Sequence, residues 1–429
     1  MLPQCRREDF QYAVPKFDIR KEDIEGFTEE LRGFHGAYRD CFLRSELREN
    51  FYRYMAGQFS DLERKSIEPI ALNVEKCGVR AMQRFVSDAR WEDDRILDRH
   101  QEMVNEDLGD PDGALIFDES GFVKKGNDSV GVARQYCGTI GKVDNCQVGV
   151  FAAYASPHGY ALADKRLYMP KRWFTEPYEE RRIKCEVPEG VDYQSKAALA
   201  AEMLLGIAGR KHLPFRYILA DSVYGNHPEF IEAAESLPGA CYFVSISSDT
   251  LCWLKAPVTR KKRYYRKGEW KEKTVVESTE KKPIPVATLA ENLHDFYWYR
   301  RIVQEGTKGP IVYEFAKRRI RLSKNGVPGK SVWLILKRTT TGERKIWYYL
   351  SNAPRSTRLP GFVWLSGLRW AIEQCFQETK GELGMDHYEV RKFPGWHHHM
   401  LTCMLAHFFL WHLKVRLGKK STVHYFVTA

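Results

Sequence analysis

The chain has 429 residues, is 43% hydrophobic and 13% aromatic, and carries a formal charge of +11. That composition supports two or three packed domains and excludes a disordered chain, and no run of 18 apolar residues is present to form a membrane-spanning helix. The start, "MLPQCRREDFQY", lacks the charged-then-apolar order of a secretion signal, so a soluble cytoplasmic protein is expected.

The charge is unevenly placed. Between residues 245 and 350, 24 Lys and Arg stand against 10 Asp and Glu, which leaves the remainder slightly acidic. Such concentration is what a surface for a polyanion requires. The ten cysteines are scattered singly, never as C-x-x-C, and are expected as reduced, mostly buried thiols rather than zinc ligands.

From about Ile24 to Asn105 apolar positions recur with helical period, as in "SELRENFYRYMAGQFSDLERK", which predicts four or five helices in a helical N-terminal domain spanning 1–108. At Gly113 the period changes to that of strands: "ALIFD", then "CQVGVFAAYAS", then "YALADKRLYMP". A long helix, "QSKAALAAEMLLGIAGRKH", precedes the strand "RYILA", the helix "HPEFIEAAESL" and the strand "CYFVSIS". This order predicts an α/β class with a ribonuclease-H-like mixed sheet flanked by helices, its first part at 109–247. Residues 248–350 read as a basic, mostly β insertion subdomain, and 351–429 as the second, helical part of the core.

Two of these strands end alike. "GALIFDESGF" and "FRYILADSVYG" each run from an apolar stretch into an acid, Asp118 and Asp221. Either Asp alone reads first as the cap of a following turn. Placed side by side, two such carboxylates repel and call for a cation, and a hard divalent ion suits them and phosphodiester chemistry. In "LSGLRWAIEQCFQETKGELG" helical spacing puts Arg369, Glu373, Gln377 and Lys380 on one face, either a solvated surface or an acid flanked by phosphate-binding cations.

These stretches, together with "SDLERKSIEPIA", "RLYMPKRW" and the long block after Asp118, resemble the DDE transposases of bacterial insertion sequences, nearest to the insertion-sequence-701 group. The resemblance implies catalysis and metal binding by Asp118, Asp221 and Glu373, with two Mg²⁺ ions for which Mn²⁺ can substitute. It also implies cleavage of double-stranded DNA at element ends and strand transfer into target DNA, by a homodimer acting at the nucleoid. Asp118 is preferred over Glu119, which an extended strand turns to its other face. The related insertion-sequence-4 signature Y-x2-R-x3-E-x6-K is met by Arg369, Glu373 and Lys380, but Ser366 stands at the Tyr position.

Arg369 and Lys380 are expected on DNA phosphate. Lys124, Lys125 and Arg134 read equally as phosphate contacts or solvated turn residues. In the insertion, Arg260, Lys261, Lys262 and Arg263 are expected to track DNA, and Trp298 to stack on bases, although an aromatic in a strand more often packs. Three successive histidines, His397 to His399, point 100° apart on a helix and cannot chelate one ion, so helix packing or DNA-backbone contact is expected of them. The competing functions are a nuclease of the same fold without strand transfer, and a domesticated DNA-binding protein without catalysis.

Overall fold

A computed structural model describes residues 13–16, 26–74, 77–277, 282–306, 309–420 and 424–427. Cys5 and most of the first 25 residues of the expected helical domain lie outside them. Five helices open the described chain: α1 (Phe27–Gly36), α2 (Ser45–Gln58), α3 (Ile67–Asn73), α4 (Val79–Ser87) and α5 (Asp93–Leu108). Their buried stripes, such as Leu31 and Phe34 or Phe51, Tyr54 and Met55, follow the helical repeat.

The sheet begins with β1 (Ala114–Val123), β2 (Ala133–Cys137), β3 (Lys142–Ser156) and β4 (Gly159–Tyr168). Helix α6 (Lys196–Arg210) leads to β5 (Tyr217–Ala220), and α7 (Pro228–Ser236) leads to β6 (Cys241–Ile246). The spatial order is β4-β3-β1-β5-β6, with β3 antiparallel to β1 and β4 while β1, β5 and β6 run parallel. This is the expected ribonuclease-H-like mixed sheet. β1 lies at its centre, and Ala114 to Phe117 are wholly buried, hence an unbroken apolar run instead of alternation.

The insertion is mostly β, as expected, and it joins the core sheet. It comprises β7 (Leu251–Trp253), the hairpin β8 (Thr259–Arg266) and β9 (Glu269–Val276), then β10 (Tyr299–Gly306), β11 (Gly309–Lys324), β12 (Val327–Thr339) and β13 (Ile346–Ser351). β13 pairs antiparallel with β6, and β12 and β11 follow outward, so these strands prolong the core sheet. The open edge of β6 carries backbone groups that need partners, and strands 100 residues later supply them. Among the described residues only the β8–β9 hairpin and the pairing of Ala13–Lys16 with His424–Val427 stand apart from that sheet.

Helices α8 (Leu359–Leu368), α9 (Trp370–Leu383) and α10 (Phe393–Lys420) complete the fold. α10 packs on β4 with one side and on α2, α4 and α5 with others. Met400, Leu401, Met404, Leu405 and Phe408 are all buried, and one apolar core runs from the N-terminal helices into the sheet. No described helix is long and apolar enough to cross a membrane. The described cysteines are free, and all are buried except Cys41 and Cys77, which are half-buried.

Candidate active site

The parallel register of β1 and β5 ends at Phe117 opposite Ala220, so Asp118 and Asp221 follow as adjacent residues on neighbouring strands. Beyond this point β1 continues along β3, while β5 breaks into a helical turn, Ser222–Gly225. Asp221 caps that turn by accepting from the Val223 backbone N–H at 2.9 Å. Gly225 lets the turn lie flat on β6: a Cβ there would stand 2.0 Å from the Ser245 carbonyl oxygen.

Asp118 is largely buried, with 17% side-chain exposure. Burial first, and the Asp221 charge second, raise its pKa to about 8, against the opposing pull of Arg369. Asp221 is raised to about 6, by burial and then by Glu119. Glu119 accepts from Lys196 Nζ and from the Tyr224 hydroxyl, each at 2.8 Å. Those two partners were not anticipated from sequence, although Tyr224 follows Asp221 by three residues in "ADSVYG".

Glu373 lies in the first turn of α9, at the α8–α9 junction where Arg369 sits. The guanidinium of Arg369 reaches Asp118 Oδ2 at 3.4 Å and also donates to Glu373. Asp118 and Glu373, 255 residues apart in sequence, therefore share one cation. Asp221, Arg369 and Glu373 line a common cleft of about 640 Å³. Among the described residues no three His, Cys, Asp or Glu side chains form a preassembled metal cluster, and Arg369 stands between Asp118 and Glu373. The donor set nonetheless fits a hard divalent ion, since it consists of carboxylate oxygens, and for Asp118 and Asp221 burial and a neighbouring carboxylate oppose ionisation until a cation offsets them.

The expected DNA contacts divide. Lys125 and Arg134 are exposed. Lys124 is not free for phosphate: its Nζ donates to the Tyr388 carbonyl at 2.9 Å and lies 3.3 Å from that ring's centre, and burial lowers its pKa to about 8. Lys380, although on the Glu373 face, docks on the sheet through the Gly121 carbonyl and Thr139 Oγ1, both at 3.1 Å. Trp298 does not offer its ring for stacking. It is 7% exposed, part of the core, and covered by Arg338 at 4.1 Å. Arg260, Lys261, Lys262 and Arg263 are exposed on the β8–β9 hairpin.

The three histidines are packing groups, and His398 and His399 are buried away from any DNA backbone. His398 stacks on Trp91 at 3.8 Å and engages the Val86 carbonyl. His399 lies between the Tyr54 hydroxyl and the Met385 carbonyl, and His397 lies against Lys165 and Phe393.

Residues 37–310 match a family model described as "DDE superfamily endonuclease". The chain belongs to this family. DDE superfamily endonucleases use divalent metal ions, in keeping with the acids at the β1 and β5 ends. The match ends before Glu373. The chain is also 24% identical over 369 residues to the "Probable transposase for insertion sequence element IS701" of Microchaete diplosiphon, covering 83% of this chain and 80% of that relative. A solved structure, a cryo-EM piggyBac transposase synaptic complex with hairpin DNA, aligns with 95% of this chain and 69% of its own at 10% identity and a TM-score of 0.35.

Proposed function

We propose that this endonuclease is a DNA transposase that cleaves phosphodiester bonds at insertion-sequence ends and joins the freed ends to target DNA, with Asp118, Asp221 and Glu373 as its catalytic and metal-binding acids. The observation that carries the reading is the register that sets Asp118 beside Asp221 while Arg369 ties Asp118 to Glu373. Two Mg²⁺ ions, or Mn²⁺, would be held by these three acids and would supply activation of water or a 3′-hydroxyl and charge neutralisation at the phosphate. The protein's own contribution is to hold the carboxylates on stiff strands and to hold Arg369 where an incoming phosphate can draw it off the acids.

The β8–β9 hairpin supports a duplex partner. Its register puts Arg260, Lys262 and Arg266 on one face with Lys271 and Lys273 opposite them, accompanied by one acid, Glu269. On the other face Lys261 and Arg263 are paired with Glu272. A twisted two-stranded ribbon of this kind fits a DNA major groove, and the face where only Lys271 is paired, with Glu269, is the one suited to phosphates. A homodimer is the natural assembly for holding two ends together.

The test is an assay with duplexes from the ends of the protein's own element, a target plasmid and Mg²⁺ or Mn²⁺. Joined products are expected from the wild type, and losses of about 100-fold or more from Asp118→Asn, Asp221→Asn and Glu373→Gln with DNA binding retained. Nicks without joining would make the protein a nuclease. End binding without any cleavage would make it a DNA-binding protein. Sizing the protein with two end duplexes tests the dimer.

A further inference from the structure

Lys337 was invisible as a site residue in the sequence, lying in the unremarkable strand pattern "SVWLILKRT". Because β13 extends the core sheet from β6, the face of that sheet beside Asp221 is built by the insertion. Lys337 on β12 pairs with Trp347 on β13, and Tyr349 pairs with Ile335 two residues along. Period-2 alternation therefore puts Lys337, Trp347 and Tyr349 on one face. All three line the cleft that also holds Asp221, Arg369 and Glu373.

The ammonium group of Lys337 lies 4.3 Å from the ring centre of Tyr313 and 5.1 Å from that of Trp347. Among the described residues no carboxylate pairs with it and no acceptor takes its protons. A structural lysine in such a half-buried place is normally paired, since partial loss of water disfavours an unpaired charge. Burial and Arg369 lower the pKa of Lys337 to about 8, with Glu373 opposing. The aromatic rings hold the side chain by cation–π contact and fix its direction without cancelling its charge. The cleft, about 640 Å³, is within the roughly 300–1,000 Å³ range that takes a nucleotide-sized group.

We propose that this cleft is a binding site for a backbone phosphate of the DNA strand next to the scissile bond, with Lys337 as the cation that receives it. This rests on the transposase reading and adds to it a contact from the insertion that fixes the strand's register against the acids. The sheet thereby carries both parts: β1 and β5 supply the acids, and β12, continuous with them, supplies the phosphate clamp. A phosphate here would also lie near Arg369, so its arrival and the release of Arg369 from Asp118 and Glu373 are coupled.

The experiment uses the full chain, end duplexes carrying a single neutral methylphosphonate at successive positions, and the variants Lys337→Met and Lys337→Arg. Methionine keeps the stem packed between Tyr313 and Trp347 and removes only the charge. For the wild type, one methylphosphonate position flanking the cut is expected to reduce cleavage at least tenfold. In Lys337→Met the unmodified duplex suffers a similar loss and that same position costs nothing further, while Lys337→Arg recovers most of the rate. The slope of log affinity against log salt should fall by about one for Lys337→Met. The inference is overturned if Lys337→Met, with an unchanged melting temperature, cleaves and binds with wild-type rate and slope, or if its methylphosphonate profile equals the wild type's. It is also overturned, in favour of a small-anion site, if inorganic phosphate protects the wild type but not Lys337→Met from thermal unfolding while DNA affinity is unchanged. If Lys337→Met melts lower, the comparison of Lys337→Arg with wild type across the methylphosphonate series decides. Failure of the wild type to cleave end DNA at all would instead count against the transposase reading.

Discussion

Asp118→Asn should make the metal-free protein more stable, a gain set by how unfavourably the native fold holds this carboxylate. The folded carboxyl titrates near 8, whereas an unfolded Asp titrates near 3.8. Between those values the folded state binds more protons than the unfolded state, so this group's contribution to stability falls as pH rises through that window. The slope is about 1.4 kcal/mol per pH unit, so the penalty grows by about 3 kcal/mol between pH 5 and pH 7. An Asn has no charge to bury and escapes it. Unfolding entropy scales with chain length, and for a chain this long about 1 kcal/mol corresponds to about 1 °C in melting temperature. Over the whole span from 3.8 to pH 7 the penalty is about 4.5 kcal/mol, so in EDTA Asp118→Asn is expected to melt about 5 °C above the wild type at pH 7, a gap that narrows by about 3 °C at pH 5. Added Mg²⁺ should raise the wild type and leave the variant unmoved. Thermal melts across pH, with and without Mg²⁺, measure all of this. A gap that is absent at pH 7, or that does not change with pH, would refute the electrostatic account of the site.

Gly225→Ala should displace the Asp221 turn, because its methyl group would meet the Ser245 carbonyl at 2.0 Å; a stability loss of about 1–3 kcal/mol and reduced cleavage with unreduced DNA affinity are expected, read by melts and filter binding. Replacing Arg260 and Lys262 together with Gln should lower the salt slope of DNA binding by roughly two, and replacing Lys261 and Arg263 should lower it less, since Glu272 already occupies them. His100 and His399 are buried and held at pKa values of about 4 and about 3, mainly by desolvation. Below about pH 6.5 the unfolded chain binds protons that these folded histidines refuse, so stability falls as pH drops toward 4, by up to about 1.4 kcal/mol per pH unit for each. Denaturant titrations of His100→Gln should show a shallower acid limb than the wild type.

The amino-acid order was sufficient for what local chemistry encodes. The apolar run ending at Asp118, its counterpart ending at Asp221, and the helical face carrying Arg369 and Glu373 are each legible within a dozen residues, because strand and helix periods are short. The succession of strands and helices likewise announces a mixed sheet of ribonuclease-H type. What a lysine or tryptophan does depends instead on what packs over it, and that comes from elsewhere in the chain. Lys124 is claimed by Tyr388, Lys380 by β1 and Thr139, and Trp298 by Arg338, so three expected DNA contacts are spent inside the protein. The pairing of β13 with β6 had no local signal either, since an open strand edge accepts any extended segment of suitable length. Only that pairing turns the basic insertion into a wall of the acidic cleft and brings Lys337 to it.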